Sequence, residues 1–148
     1  MDNFAYIGID PGNSGGIAYL VNKEIVCIKF PKDLKDLISI LKSLKKKYRC
    51  YAYMELVHSF PNQGVKSTFT FGENFGKWKG ILETVGIDYK LIPPRVWMSY
   101  YGERPKEKQE RKKYLKLIAK KLYSNTHITL YTADAVLIAN YLKETYEE

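Results

Sequence analysis

Three carboxylates sit at places where they could act together. Asp10 closes the run Phe4-Ala5-Tyr6-Ile7-Gly8-Ile9 and precedes the turn Pro11-Gly12-Asn13. Glu55 follows Tyr51-Ala52-Tyr53-Met54, and Asp134 stands at the head of Ala135-Val136-Leu137-Ile138-Ala139. Each has an ordinary reading: a turn aspartate before Pro-Gly, an edge or ion-paired glutamate, and a first-turn acid favoured by the helix dipole. Brought to one place, they form a hard, oxygen-rich set with no nearby cysteine or ligand-spaced histidine. Such a set suits Mg²⁺, or Mn²⁺ in its place, and disfavours structural zinc. The matching chemistry is two-metal phosphodiester hydrolysis, in which one ion activates water and the other stabilises the leaving oxygen.

The elements that must position them can be read from period and punctuation. Residues 4–10, 16–21 and 24–30 read as three short strands with tight turns, which predicts an antiparallel meander. Leu34, Leu37, Ile38, Leu41 and Leu44 give a helical stripe over 33–47. The strand expected at 49–57 is reached through that helix and should lie parallel to the first. Asp10 and Glu55 then emerge at the same carboxyl edge, where open α/β sheets form ligand sites. A helix over 68–85, a strand over 87–92 stopped by Pro93-Pro94, a helix over 106–123 and a last helix over 132–145 complete the order. In the 106–123 helix Tyr114, Leu115, Ile118 and Leu122 should face inward. Asp134 lies beside the apolar side of the last helix. The expectation is an α/β chain of one domain over 1–148, with a five-stranded mixed sheet, antiparallel meander plus parallel strands, flanked by helices. That order is the order of an RNase H-like fold.

Net charge is +8, and nine basic residues against Glu107 and Glu110 fall between Arg104 and Lys121. Such clustering points to a polyanion partner; its plain alternative is a solvated lysine-rich helix. If the segment lies along DNA, Arg104, Lys106, Arg111, Lys112, Lys113 and Lys116 are its candidate backbone contacts. Cys27 and Cys50 read as reduced, buried thiols. With no apolar run long enough for a membrane span and no basic-then-apolar leader, a cytoplasmic, membrane-free protein is expected.

Gly72, Gly76 and Gly80 repeat every four residues and leave one helix face bare, at a cost of about 1 kcal/mol each against Ala. Close backbone approach is the return such a stripe suggests, either to a second copy or to the chain's own sheet. Phe71, Phe75, Trp78 and Leu82 line another face, as core or interface. In the loop after Glu55, His58, Phe60 and Lys66 are candidate DNA contacts, with Phe60 either stacking on an unpaired base or packing the loop. Trp97, Tyr100 and Tyr101 read as packing for the exit of the fifth strand.

These segments resemble, in order, the RuvC-like Holliday-junction resolvases. Ile7-Gly8-Ile9-Asp10-Pro11-Gly12 is similar to the opening motif. Met54-Glu55, with Pro61-Asn62-Gln63-Gly64-Val65-Lys66-Ser67 and Phe71-Gly72-Glu73-Asn74-Phe75-Gly76, resembles the second-carboxylate segment of phage-type members. Ile92-Pro93-Pro94-Arg95-Val96-Trp97 is similar to the stretch after the fifth strand, Glu107-Lys108-Gln109 to a segment carrying a functional lysine, and Ala133-Asp134-Ala135-Val136-Leu137-Ile138-Ala139 to the closing motif. The resemblance implies an RNase H-like fold, a divalent metal, paired nicks in branched DNA, and a homodimer. It puts Asp10, Glu55 and Asp134 at the metal-ligand positions and Lys108 near the scissile phosphate. It also favours Gly72, Phe75, Gly76 and Trp78 as dimer interface.

The chain departs from that pattern twice. The position three residues before the last aspartate, often an acid or His, is Tyr131, and His127 either substitutes for it or is an ordinary surface histidine. A second lysine would fall near Trp97-Met98, and neither residue carries charge. Three other readings compete. One is a related nuclease for flaps, forks or structured RNA. A second is a junction-binding protein with a decayed site. The third is the ATPase half of an actin-like or sugar-kinase fold, which would need a second domain to close over nucleotide.

Overall fold

Short apolar runs separated by turn residues produce the first half of the sheet. The computed structural model describes residues 3–31, 33–57 and 61–147. In it β1 (Phe4–Asp10), β2 (Gly16–Val21) and β3 (Glu24–Lys29) form an antiparallel meander. The β2–β3 turn is Asn22-Lys23, both with positive φ (50° and 73°), the twist that a two-residue hairpin requires. Helix α1 (Leu34–Lys47) starts at Asp33, whose carboxylate accepts from the Lys35 N–H, and ends in Lys45, Lys46 and Lys47, which suit the negative end of the helix dipole. It buries Leu37, Leu41 and Leu44 and returns the chain to β4 (Arg49–Glu55), parallel to β1.

Helix α2 (Val65–Val85) begins three residues earlier than its apolar pattern suggests and stops at Gly86, in the left-handed region at φ 83°. Strand β5 (Asp88–Ile92) lies parallel to β4, giving the order β3-β2-β1-β4-β5. The Pro93-Pro94 step does more than stop that strand. Pro94 sits in the first turn of a short helix, α3 (Pro94–Ser99), where its missing N–H costs nothing. Helices α4 (Lys108–Leu122) and α5 (Ala133–Thr145) follow, with the Glu107 carboxylate capping α4 through the N–H groups of Gln109 and Glu110.

The sheet separates two apolar clusters. One joins Ala5, Ile7, Ile9, Ala52 and Met54 to Leu37, Leu41, Trp78 and Leu82 from α1 and α2. The other joins Ala18 and Leu20 to Trp97, Leu115 and the alanine-rich face of α5. Helix α5 lies almost backbone to backbone on β1. A Cβ at Gly8 would fall 2.2 Å from the Ala135 carbonyl oxygen and 2.4 Å from the Ala139 nitrogen, so only glycine permits this approach. Two expectations about packing are corrected. Trp78 is 1% exposed and enclosed in the chain's own core, so it is not a dimer contact. Leu122, expected inward, is 47% exposed because α4 ends there and Ala119 fills the contact with α5 instead. Cys27 and Cys50 are unpaired and only partly buried. Among the described residues no helix is long and apolar enough to cross a membrane.

Candidate active site

Period two puts Tyr6, Gly8 and Asp10 on the α5 face of β1, and Tyr51, Tyr53 and Glu55 on the same face of β4. The register pairs Gly8 with Tyr53 and Ile9 with Met54, which brings Asp10 and Glu55 to one edge. Close seating of α5 over Gly8 then delivers Asp134 to that edge from above. All three carboxylates line one open cavity of about 330 Å³, together with Gly12, Ser14, Gly15, Pro94 and Met98 and, from α4, Lys108, Arg111, Lys112 and Leu115. Gly15 makes room for Asp10: a Cβ there would lie 2.7 Å from its Cγ.

The electrostatics are those of a crowded anionic site. Burial raises the pKa of Asp10, while the Gly12 N–H, 3.4 Å from its Oδ1, and the Lys112 ammonium pull it back. Glu55 is pushed up to about 8, first by burial and then by Asp10 and Asp134. Asp134 rises to about 7 through burial and the Asp10 charge. Among the described residues none of the three is held in an ion pair, the pairs there being Glu73 with Lys77 and Glu110 with Lys113. Lys112 alone among the lining cations favours the ionised form of all three. Repulsion of this kind is relieved by protons or by an added cation.

The donor set fits a hard divalent ion, since all its groups are carboxylates. No three His, Cys, Asp or Glu side chains among the described residues are gathered tightly enough to enclose one ion. A cation here would therefore take one or two carboxylates and complete its shell with water and phosphate oxygens, the usual habit of Mg²⁺.

The structure sorts the remaining candidates. Lys108, Arg111 and Lys112 reach the carboxylate cavity. Arg104, Lys106 and Arg111 line a neighbouring hollow, and the Arg111 guanidinium donates to the Lys106 carbonyl at 2.9 Å. Lys113 lies on the solvent side of α4 beside Glu110, at 3.8 Å, and Lys116 is partly buried. Lys66 is not in the cavity but in an adjoining hollow with Asn13, Asn74 and the start of α2. His58 and Phe60 lie outside the described residues. His127 is exposed in a separate hollow with Lys120 and Ser124, away from the carboxylate cavity. Tyr131 is 42% exposed and carries the Lys29 ammonium over its ring at 4.0 Å. Among the described residues, methyl groups at Gly72, Gly76 or Gly80 would meet nothing within 4 Å, so the glycine stripe is not used for packing against them. Phe75 packs partly against the α1–α2 core.

One participant was not visible as such in the sequence. Trp97 is fully buried, and its indole Nε1–H donates to Glu55 Oε2 at 2.8 Å. The available signal was Pro94 as a helix starter: it begins the turn that carries Trp97 back over the end of β4.

No protein-family model and no curated protein matches the chain in sequence. Its fold does match solved structures. T. thermophilus RuvC in complex with a Holliday junction substrate superposes with a TM-score of 0.61, at 12% identity over 95% of each chain. A second Thermus thermophilus RuvC structure gives 0.55, at 15% identity over 95% of each chain. The chain thus shares the RNase H-like fold of RuvC, a mixed five-stranded sheet flanked by helices.

Proposed function

We propose that this chain is a metal-dependent endonuclease that resolves four-way DNA junctions by paired nicks, with residues 1–148 acting as a single nuclease domain in a homodimer. The observation that carries this reading is the convergence of Asp10, Glu55 and Asp134 in one cavity whose opposite wall is the basic helix α4. The fold shared with a RuvC–Holliday junction complex supports the choice of branched DNA.

In this reading Asp10, Glu55 and Asp134 hold Mg²⁺, or Mn²⁺ in its place. Bound there, the ion supplies an activated water and stabilises charge on the departing oxygen. The chain's own groups do the rest. Lys108, at the cavity wall, sits beside the phosphate that is cut and offsets charge developing on it. Arg104, Lys106, Arg111, Lys112 and Lys116 neutralise neighbouring phosphates and set the register of the backbone. The dimer is supported by α2, where Val65 and Phe69 are 90% and 70% exposed and share a stripe with the bare Gly72 and Gly76. A self-complementary stripe of this kind suits a two-fold axis, which symmetric nicks require.

The test is direct. Purified chain is incubated with labelled four-way junction, flap and linear duplex, with and without Mg²⁺. Paired, Mg²⁺-dependent cuts confined to the junction are expected. Preferred cutting of flaps would move the substrate class, and binding without cutting at any Mg²⁺ concentration would leave a junction-binding protein.

A further inference from the structure

Glu55 is held from behind by a tryptophan. Strand β4 ends at Glu55, whose register partner is Ile92 on β5, and the Leu56 N–H bonds the Ile92 carbonyl at 2.8 Å. Two prolines later, α3 folds back and places Trp97, 0% exposed, beside the carboxylate. An indole N–H can only donate, and at 2.8 Å it engages Oε2 alone.

The ring itself has little freedom. It meets Tyr101 edge-on, with centroids 6.4 Å apart at 73°. Tyr101 is pinned in turn: its hydroxyl donates to the Leu137 carbonyl and accepts from Asn140 Nδ2 at 3.1 Å, and its own carbonyl accepts from the Tyr114 hydroxyl at 3.0 Å. Asn140 Oδ1 accepts from Tyr123 at 2.7 Å. The turn after α3 is therefore tied to α4 and α5 through Tyr101, which meets the Trp97 ring. The protein also encloses an indole N–H that has no partner among the described residues, that of Trp78, so burying a tryptophan here does not by itself demand a carboxylate.

We propose that Trp97 is a positioning residue for the metal site: by holding Glu55 Oε2 it fixes the side chain's orientation and presents Oε1 as the single oxygen offered to a cation. This rests on the reading that the three carboxylates hold a divalent ion. Trp97 does not line the cavity itself; what it gives Glu55 from behind is a directed hydrogen bond. Groups that orient a metal ligand in this way typically change metal affinity by about 10–100-fold when removed.

The two tryptophans make the test internal to the molecule. In ¹⁵N-labelled protein there should be two indole N–H signals, assigned with Trp97→Phe or, should that variant fold poorly, with Trp78→Phe. Adding Mg²⁺ should move the Trp97 signal and leave that of Trp78 in place. Calorimetric titration with Mn²⁺ should show about tenfold weaker binding by Trp97→Phe. Junction cutting by that variant should return towards wild type as Mg²⁺ is raised, so that the defect is in metal requirement and not in the saturated rate. A purely structural role would give the opposite: wild-type Mn²⁺ affinity, or an indole signal indifferent to Mg²⁺, and either overturns the proposal. Wild-type protein that neither binds Mn²⁺ nor cuts DNA would bring down the nuclease reading together with this one. Wild-type protein that binds Mn²⁺ as tightly as Trp97→Phe does would remove only the role of Trp97.

Discussion

Trp78 and Trp97 are equally enclosed, one on each side of the sheet, and are used in opposite ways. Trp78 fills volume in the cluster of Ile7, Leu37, Leu41 and Leu82 and meets Phe30 edge-on at 5.2 Å, and its N–H has no partner among the described residues. Trp97 spends its N–H on a carboxylate that lines the cavity. The α1–α2 side is thus an ordinary apolar layer, whereas the α5 side mixes packing with directed polar contacts, including buried Thr132 and Asn140. The contrast teaches that burial alone does not separate scaffold from site; what each buried polar atom is aimed at does.

The contrast can be broken most sharply at the carboxylates. Asp10→Asn, Glu55→Gln and Asp134→Asn should each lower junction cutting by roughly 10³-fold while leaving junction binding intact, because the basic surface remains. A gel assay showing near-wild-type cutting by any of the three would remove that residue from the metal site.

Next in size are changes to packing on the two sides. Trp78→Ala should destabilise the chain by about 3–5 kcal/mol, with cutting per folded molecule unchanged. Gly8→Ala adds only a methyl group, yet it would drive α5 from β1 at a cost of about 3 kcal/mol. It should also lower cutting in the folded fraction, since Asp134 moves with the helix. Thermal melts and active-fraction-corrected rates separate the two outcomes; equal losses per folded molecule would erase the distinction between the faces.

A subtler effect comes from titration. The folded chain holds the Glu55 proton up to about pH 8, against an ordinary value of 4.5. Between those values the folded state binds more protons than the unfolded one, so this group's contribution to stability falls as pH rises through the window and the full penalty stands above it. Without divalent metal, Glu55→Gln should therefore be more stable than wild type at pH 8.5, by on the order of 2 kcal/mol, with the difference gone near pH 4. Mg²⁺ should restore wild type at high pH and do little for the variant. Denaturant midpoints at the two pH values would show whether the sign is right.

The smallest effects belong to α4. Lys108→Ala should reduce the cutting rate more than the affinity, because a single phosphate contact adds little to binding but acts on the developing charge. Lys112→Gln and Lys116→Gln should each reduce the slope of log affinity against log salt by about one if they touch phosphates. Lys113, turned to Glu110, should contribute less. A slope unchanged in the combined variant would place the DNA elsewhere.

Much of this was legible from residue order. Short runs bounded by turn residues gave β1 and β4, and the helix between them forced a parallel pairing, so Asp10 and Glu55 could be brought together on paper. Asp134 followed from the apolar stripe of α5. What escaped were features that depend on three dimensions at once. Helix α3 is six residues long, too short to show a period, and it lay hidden behind a proline pair that reads first as a stop. Trp97 and Trp78 look alike in sequence because each reads as packing; only the neighbour of Nε1 tells them apart. Leu122 fits the helical pattern of α4 but falls on its last residue, where Ala119 and Tyr123 make the contact with α5 and leave Leu122 exposed. Gly8 was visible as a glycine flanking a strand end, with no sign that a helix backbone would press against it.

That contact has a mechanical consequence. The separation between Asp10 and Asp134 is gauged by main chain against main chain, a carbonyl and an amide of α5 resting where a side chain would otherwise intervene. Side chains flex and exchange rotamers, and a spacer made of them would breathe; peptide groups in hydrogen-bonded strand and helix do not. The two oxygen donors are thus mounted on parts with almost no play, and the precision of the gap between them is inherited from the absence of a single carbon atom.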